Sequence, residues 1–355
     1  MHLQSAAVSS VFIHLGVRMQ GHGRNVLMRH PLVRLLLAAL LVLLSHQAWA
    51  QTRGDPAAIS IVVPYPAGGS ADVFARIIAP TLGTMMGRTV IVENISGATG
   101  SIGAMKVLSG PPDGNLMFLG SPTDAVLAPL AMNSVKYEAS DFQLVGLLTT
   151  APLALYARGD LPANTVDELV TQARQSPGKP LSYGSTGHGS LYHIVASNMI
   201  TAAGLTATHI PYRGGMPMLQ DLMGGTVDFA VLPVDGTLAK LVETGRIKVL
   251  AVMADQRATR FAYVPTLAES QVLKRFATHS VWAGLLVPRN TPLALAQSLH
   301  KAVHETMQSP AVRSAMEAAG GALPTAMTLN EAASFYAAES ASLRTLARAA
   351  GIQPN

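Results

Sequence analysis

Along this chain, short apolar runs alternate with longer stretches in which apolar residues recur at helical spacing. Ile59–Pro64 is a continuous apolar run and predicts a buried strand, followed by a helix over Ala71–Met86. Thr89–Glu93 and Leu116–Gly120 predict the next two strands, with a helix over Ile102–Leu108 between them. The same alternation returns downstream. Thr165-x-x-Glu168 is a capping box that opens a helix, and Ser176-Pro177-Gly178 stops it. Leu181–Tyr183 predicts a strand, Ser190–Ala203 a helix ending at Gly204, and Val227–Leu232 and Ile247–Met253 two further strands. Strands separated by helices imply an α/β fold with a parallel sheet covered on both faces.

Ligands of such sheets bind beyond the carboxyl ends of the strands, where loops lead into helices. Four loops there are rich in small polar residues: Tyr65–Asp72, Asn94–Ser101, Ser121–Asp124 and Gly184–Ser190. In the first, Gly68 and Gly69 let the backbone turn with its N–H groups exposed and Ser70 is placed to cap the helix. Such a terminus suits an anion, and equally serves as an ordinary turn and cap. Asp72 falls in the first helical turn, where it favours the macrodipole and partly repels an anion unless it holds water or an ammonium group. Gly97-x-x-Gly100-x-x-Gly103 departs from the dinucleotide spacing and follows the second strand, so it reads as tight helix–sheet packing.

The stretch "YGSTGHGSLYHI" gathers Ser185, Thr186, Gly187, His188, Ser190 and His193. A hydrolase is the rival reading, with Ser185 or Ser190 as nucleophile and His188 as base, but the nucleophile-elbow pattern is absent. His188 and His193 stand five apart, with no carboxylate or third histidine near them in the chain to complete a zinc site. No metal and no cofactor are expected. His193 reads as a packed helix-face residue and His188 as a contact to ligand or a bridging water.

Composition narrows the class. Arg29 and Arg34 precede the apolar run Leu35–Leu44, which ends at Ala48-Trp49-Ala50, so residues 28–50 read as a cleaved signal peptide with the mature chain starting at Gln51. Residues 1–27 read as an over-long gene start, with Met28 an alternative first residue. Residues 1–50 hold four of the 25 basic residues and no acid, which leaves 21 against 20 acids and no basic cluster for nucleic acid. The chain has no cysteine, so disulfides, thiolate metal sites and a lipid-modified N-terminal cysteine are excluded. A free periplasmic protein of two domains fits these bounds.

Taken in order, "VPYPAGGSADVFAR", "VIVENISGATGSIGA", "PPDGNLMFLG", "PGKPLSYGSTGHGSLYHI", "HIPYRGGMPMLQDLMGGTVDF", "GRIKVLAVMADQR", "VPTLAES" and "VWAGLLVPRNTP" resemble the Bug-type, TctC-like substrate-binding receptors of tripartite tricarboxylate transporters. The resemblance implies a type II periplasmic-binding-protein fold, two lobes joined by two crossover strands with a ligand cleft between them. Residues 56–151 plus 276–355 would form one lobe and 152–275 the other. It implies a monomeric receptor, not an enzyme, that captures a small organic carboxylate and delivers it to the membrane subunits of the transporter; a ligand-presenting sensor is the alternative. Tyr65, Ala67, Gly68, Gly69, Ser70 and Asp72 inherit the ligand-holding role on one lobe, with Ser121 and Thr123 beside them. Ser185, Thr186, Gly187, His188 and Ser190 face them from the other lobe, with Arg213 and Asp235. Arg213 is read as a partner of the ligand, of a transporter subunit, or of an acid on the opposite lobe. Two features depart from the family pattern: Ser70-Ala71 follows the double glycine and offers one hydroxyl fewer, and Pro80 is expected to kink or shorten the first helix. Trp282, near the return crossover, is a candidate reporter of closure.

Overall fold

The computed structural model describes residues 58–276 and 278–353. The signal peptide, the start at Gln51 and the gene-start reading of residues 1–27 lie outside the described residues. The first strand, β1 (Ile59–Val63), leads into α1 (Ser70–Met86), β2 (Val90–Asn94), α2 (Ser101–Ser109) and β3 (Leu116–Gly120). A turn of π-helix at Pro122–Leu127 and the short α3 (Ala128–Ala131) then lead to β4 (Phe142–Arg158), 17 residues long. Next come α4 (Val166–Gln175), β5 (Leu181–Ser185), α5 (Leu191–Ala202), β6 (Ala207–Pro211), α6 (Gly215–Gly224), β7 (Phe229–Pro233), α7 (Gly236–Glu243) and β8 (Ile247–Met253). Strand β9 (Ser280–Pro288) and the helices α8 (Leu293–Gln308), α9 (Pro310–Ala318) and α10 (Leu329–Ala349) close the chain.

The strands run in the order β2-β1-β3-β9-β4-β7-β5-β6, with β8 also on β4. β1 pairs parallel with β2 and β3, and β5 pairs parallel with β6 and β7, as the alternating pattern predicts. The sheet as a whole is mixed, because β4 is antiparallel to every strand it meets. Its first part, Phe142–Pro152, lies against β9, and its second, Leu153–Arg158, lies between β7 and β8. One continuous strand therefore belongs to both halves of the sheet.

All five residues of β1 are buried, the signature of a strand covered on both faces. Ile59, Ile61 and Val63 pack with Phe74, Ile78 and Leu82 of α1 and Leu299 and Val303 of α8. Val62, on the opposite face, joins Ala104 and Val107 of α2. Each fully buried Ile or Leu here contributes roughly 1.5–3 kcal/mol. The far half repeats the scheme: Phe229 and Val231 pack with Ile194 and Val195 of α5, while Ala230 and Leu232 pack with Met218 and Leu222 of α6.

Pro80 does not shorten α1, which continues to Met86. The carbonyl that loses its donor belongs to Arg76, and Arg76 and Pro80 are both exposed, so water can satisfy it. Phe74, Ile78 and Leu82 bury the other side of the helix and outweigh the lost bond. Trp282 is 1% exposed and packs edge-on against Phe335 and Tyr336 of α10, inside the core rather than at the cleft.

Candidate functional site

Two groups of loops meet beyond the strand ends. After β1 the chain turns through Pro66, Ala67 and Gly68, and Gly68 takes the left-handed φ of +85°. Gly69 is the N-cap of α1 and Ser70 its first helical residue, so Ser70 does not cap the helix as its position suggested. Its hydroxyl instead reaches Asp235 Oδ2, 3.3 Å away on the other side of the seam. The Gly68 N–H is also engaged, donating to Asp72 Oδ2 at 2.9 Å. Asp72 is buried and further receives Arg76 Nε at 3.0 Å and Asn94 Nδ2 at 2.9 Å. Burial opposes its charge, but hydrogen bonds from Arg76, Gly68 and Asn94 hold its carboxyl below the usual range. Asp72 is the anchor of the loop, and Ala67 sits exposed at the tip.

Tyr65 and Ser121 converge on a residue that motif reading left out. Tyr65 Oη donates to Asp124 Oδ2 at 2.8 Å, Ser121 Oγ donates to the same oxygen at 2.6 Å, and Ser121 N–H donates to Oδ1 at 2.7 Å. Asp124 is fully buried, and burial pushes its carboxyl up to about 6 despite those bonds. Gly100 lies directly over it: a Cβ there would stand 2.6 Å from the Asp124 Cβ. The glycine run 97–103 thus serves close packing, as its spacing implied.

In the second group, Ser190 caps α5 by accepting the His193 N–H at 3.3 Å. Ser185 is fully buried; its Oγ donates to Gly187 O at 2.9 Å and accepts the Gly187 N–H at 3.2 Å. Thr186 is 8% exposed and its Oγ1 has no hydrogen-bond partner among the described residues. Across the seam, Thr99 Oγ1 donates to His188 O at 3.4 Å, and Leu191 N–H donates to Thr123 Oγ1 at 3.2 Å. Gly189, at φ +72°, backs onto α3 so closely that a Cβ would lie 2.1 Å from that of Ala131. The loops after β1, β2 and β3 are therefore in contact with those after β5 and β7. Arg213 stays apart: it is exposed, and no ion pair joins it to a described residue.

The fold brings in the third histidine that the local sequence lacked. His209, on β6, stacks on His193 at 4.0 Å, and His188 lies 4.9 Å from His193, centroid to centroid. One ring nitrogen from each falls within 4.8 Å of the others, a spacing that invites a metal. The hydrogen bonds argue otherwise. Gly189 N–H donates to His193 Nδ1 at 3.1 Å, which leaves the ring proton on Nε2, whereas a metal-bound imidazole donates its second N–H outward. Ser185 has given its own proton to Gly187 O, so the 2.7 Å contact with His209 Nε2 is a donation from the ring. The two rings are also nearly parallel, at 19°, so their in-plane lone pairs do not converge. Burial, then His209 and His188, push His193 down to about 3; burial, then His188, push His209 down to about 4. These are neutral donors. The same facts dismiss a Ser185–His209 dyad, since the serine is sealed from solvent and its proton is committed.

Comparison with known proteins decides the family. Residues 74–352 match the model described as the tripartite tricarboxylate transporter family receptor. The chain belongs to that family. The receptor is 32% identical over 285 residues to protein BugT of Bordetella pertussis, covering 79% of this chain and 85% of BugT. It superposes on the periplasmic binding protein BugD with a TM-score of 0.76 at 28% identity, over 84% of this chain and 99% of BugD. An R. palustris protein solved with adipate gives 0.76 at 30% identity, over 84% and 99%. The fold is that of the periplasmic binding proteins. No helix among the described residues is long and apolar enough to cross a membrane.

Asp124, Thr99 and His209 escaped sequence reasoning. Asp124 ends a loop that composition had picked out, but its neighbours drew attention first. Thr99 lies inside the glycine run that was read as packing alone, and His209 stands on a strand 16 residues beyond His193.

Proposed function

We propose that this receptor captures a small organic carboxylate in the periplasm and hands it to the membrane subunits of a tripartite tricarboxylate transporter. The observation that carries the reading is the meeting of two loop groups, each opening a helix, from the two halves of one mixed sheet. Residues 56–151 with 276–355 act as one lobe and 152–275 as the other, with β4 as one crossover between them. Closure around a ligand then needs only a bend in the connecting strands, and the contacts Ser70–Asp235, Thr99–His188 and Leu191–Thr123 form at the seam. The receptor does no chemistry: Ser185 is buried and committed, and His193 and His209 are neutral donors with no carboxylate facing them among the described residues.

Mass spectrometry of whatever copurifies with the full chain identifies the ligand, and calorimetry with that acid and its neutral amide tests the class. The acid should bind at least about tenfold more tightly, the worth of one hydrogen bond to a charged group. Equal binding of the amide would sink the carboxylate reading. Copurification with membrane transporter subunits, rather than with a signalling protein, separates the receptor from the sensor.

A further inference from the structure

A second cavity lies away from the strand ends, between α8, α9, the linker 323–327 and the first part of β4. A bulge helps to build it. The register of β4 on β9 passes from Leu144 to Gly146, so Val145 is left out of the ladder and its carbonyl is available to α8. Gly146 lets that helix come close, since a Cβ there would stand 2.6 Å from Val303 Cγ1. His300, half-buried on α8, then meets Val145 O through Nδ1 at 2.8 Å. A carbonyl only accepts, so Nδ1 carries the proton, and in the neutral ring Nε2 is left as an acceptor. His304, one helical turn on, lines the same cavity with its ring centre 6.3 Å from that of His300.

Positive charge comes from α9. Arg313 is half-buried in the cavity wall, and no ion pair or side-chain hydrogen bond among the described residues engages its guanidinium. No carboxylate of the described residues lines the cavity. The acids on the surrounding helices are placed elsewhere: Glu305 pairs with Lys301 at 3.9 Å, Glu331 accepts from Thr328 at the start of α10, and exposed Glu317 is in no ion pair among the described residues. Two histidines one turn apart also suit a metal, and His300 has the outward N–H of a metal-bound imidazole, but an arginine in the same wall opposes a cation. An anion fits the charge. The cavity holds about 40 Å³, against about 10–15 Å³ for one water, which is room for a single small oxyanion.

We infer that this cavity is a second ligand site, independent of the cleft between the loops, and that it takes one hydrogen phosphate ion. Arg313 donates to the unprotonated oxygens, and His300 Nε2 accepts the P–O–H. That acceptor separates hydrogen phosphate from sulfate and from the dianion of a phosphate ester, neither of which has a proton to give.

The test is calorimetry of the full chain at about pH 7.5 with phosphate, sulfate and glycerol 3-phosphate. Phosphate should bind roughly ten- to a hundredfold more tightly than either of the others, the worth of one hydrogen bond to a charged group, and should raise the melting temperature. Arg313→Gln should weaken phosphate and sulfate alike by more than about tenfold. His300→Asn sets an amide N–H where Nδ1–H stood and has no atom at Nε2, so it should bring phosphate to within about threefold of sulfate. Where His300→Asn does not fold, as judged by its melting transition, Arg313→Gln carries the test, because that side chain has no partner to lose. Absence of phosphate binding, sulfate or the ester binding as tightly as phosphate, or phosphate binding that survives Arg313→Gln overturns the inference. Zinc binding that His300→Asn abolishes, with no binding of phosphate, overturns it too and assigns the histidine pair to a metal. None of these outcomes bears on the carboxylate receptor reading, which rests on the loops at the strand ends.

Discussion

The loop after β1 and the loop after β5 look alike in sequence, each rich in glycine and serine ahead of a helix, yet they differ in what they have left to give. On the β1 side the Gly68 N–H is tied to Asp72, and the Ser70, Tyr65 and Ser121 hydroxyls are tied to buried acids. On the β5 side the Thr186 hydroxyl has no partner, while Ser190 uses its oxygen to cap α5. One loop is saturated and held rigid by carboxylates. The other keeps a donor in reserve. Small polar residues before a helix thus specify only the capacity for hydrogen bonding, and the residues packed behind them decide its direction.

The sharpest way to break the comparison is through the glycines. Gly189 has a positive φ and no room for a Cβ against Ala131, whereas Gly69 has a φ of −77° and its nearest atom for a Cβ is at 3.6 Å. Gly189→Ala adds a left-handed penalty of roughly 1–2 kcal/mol to an overlap that only separation of α3 from the β5 loop relieves. Ligand affinity should fall by more than about tenfold, and small-angle scattering should no longer show compaction with ligand. Gly69→Ala should bind and close like the wild type. Equal behaviour of the two variants would remove the distinction between the loops.

Thr186→Val is next in size. A buried hydroxyl without a partner costs free energy in the unliganded protein, so its loss should leave the melting temperature unchanged or raise it. Affinity should nonetheless fall by about tenfold if ligand is what satisfies Thr186. A variant that is less stable and binds normally would assign the hydroxyl to folding alone.

Much of this was legible before any coordinates. The parallel unit β1–α1–β2–α2–β3 and the pair β5–α5 follow from apolar runs punctuated by glycine and proline, and the four small-polar loops do lie at the strand ends. β4, β6 and β9 were the strands that local pattern did not delimit. Gly146, Thr149, Thr150 and Pro152 interrupt the alternation of β4, whose register shifts between Leu144 and Gly146 and again between Leu147 and Thr149. Polarity within the site was equally hidden. It depends on Asp124 standing 59 residues from Tyr65 and on Asp235 standing 165 residues from Ser70, separations over which no motif operates.

Acid titration sharpens the contrast by pitting the two sides against each other. His193 and His209 have pKa values lowered to about 3 and about 4 in the folded chain, against about 6.5 unfolded. The unfolded chain therefore takes up protons that the folded chain refuses, and stability falls as pH drops from 6.5 toward 4. Asp124 works in the opposite sense: with a folded value of about 6 it binds its proton before the unfolded carboxyl does, and adds stability over much of the same range. The groups facing His193 and His209 are His188, Tyr183 and Ser185, none of them a countercharge; those facing Asp124 are Ser121, Tyr65, Tyr137, Tyr192 and Tyr336. Each group can contribute at most about 1.4 kcal/mol per pH unit, and half-buried His209 contributes less because solvent screens it. In chemical denaturation of the full chain between pH 6.5 and 4.5, His209→Asn should flatten the acid-side slope and Asp124→Asn should steepen it. Slopes that move together would show that the two sides do not carry opposite proton preferences.

The smallest effect is expected at Ser70, which its sequence position had placed as the cap of α1. Its hydroxyl meets Asp235 across the seam at 3.3 Å, a long bond at an exposed side chain, and so contributes nearer 0.5 than 1.5 kcal/mol. On the proposed two-lobe reading the bond belongs to the closed arrangement, and its loss should appear in ligand release rather than in capture. Ser70→Ala should therefore raise the dissociation rate about two- to fivefold in stopped-flow displacement and leave the association rate and the melting temperature of the free protein near wild type. Asp235 remains fixed in that variant by the Leu238 N–H, so the α7 cap survives and the substitution reads the seam contact alone. An unchanged dissociation rate would mean that Ser70 contributes nothing to holding the cleft shut, and that the β1 loop acts only through its buried acids.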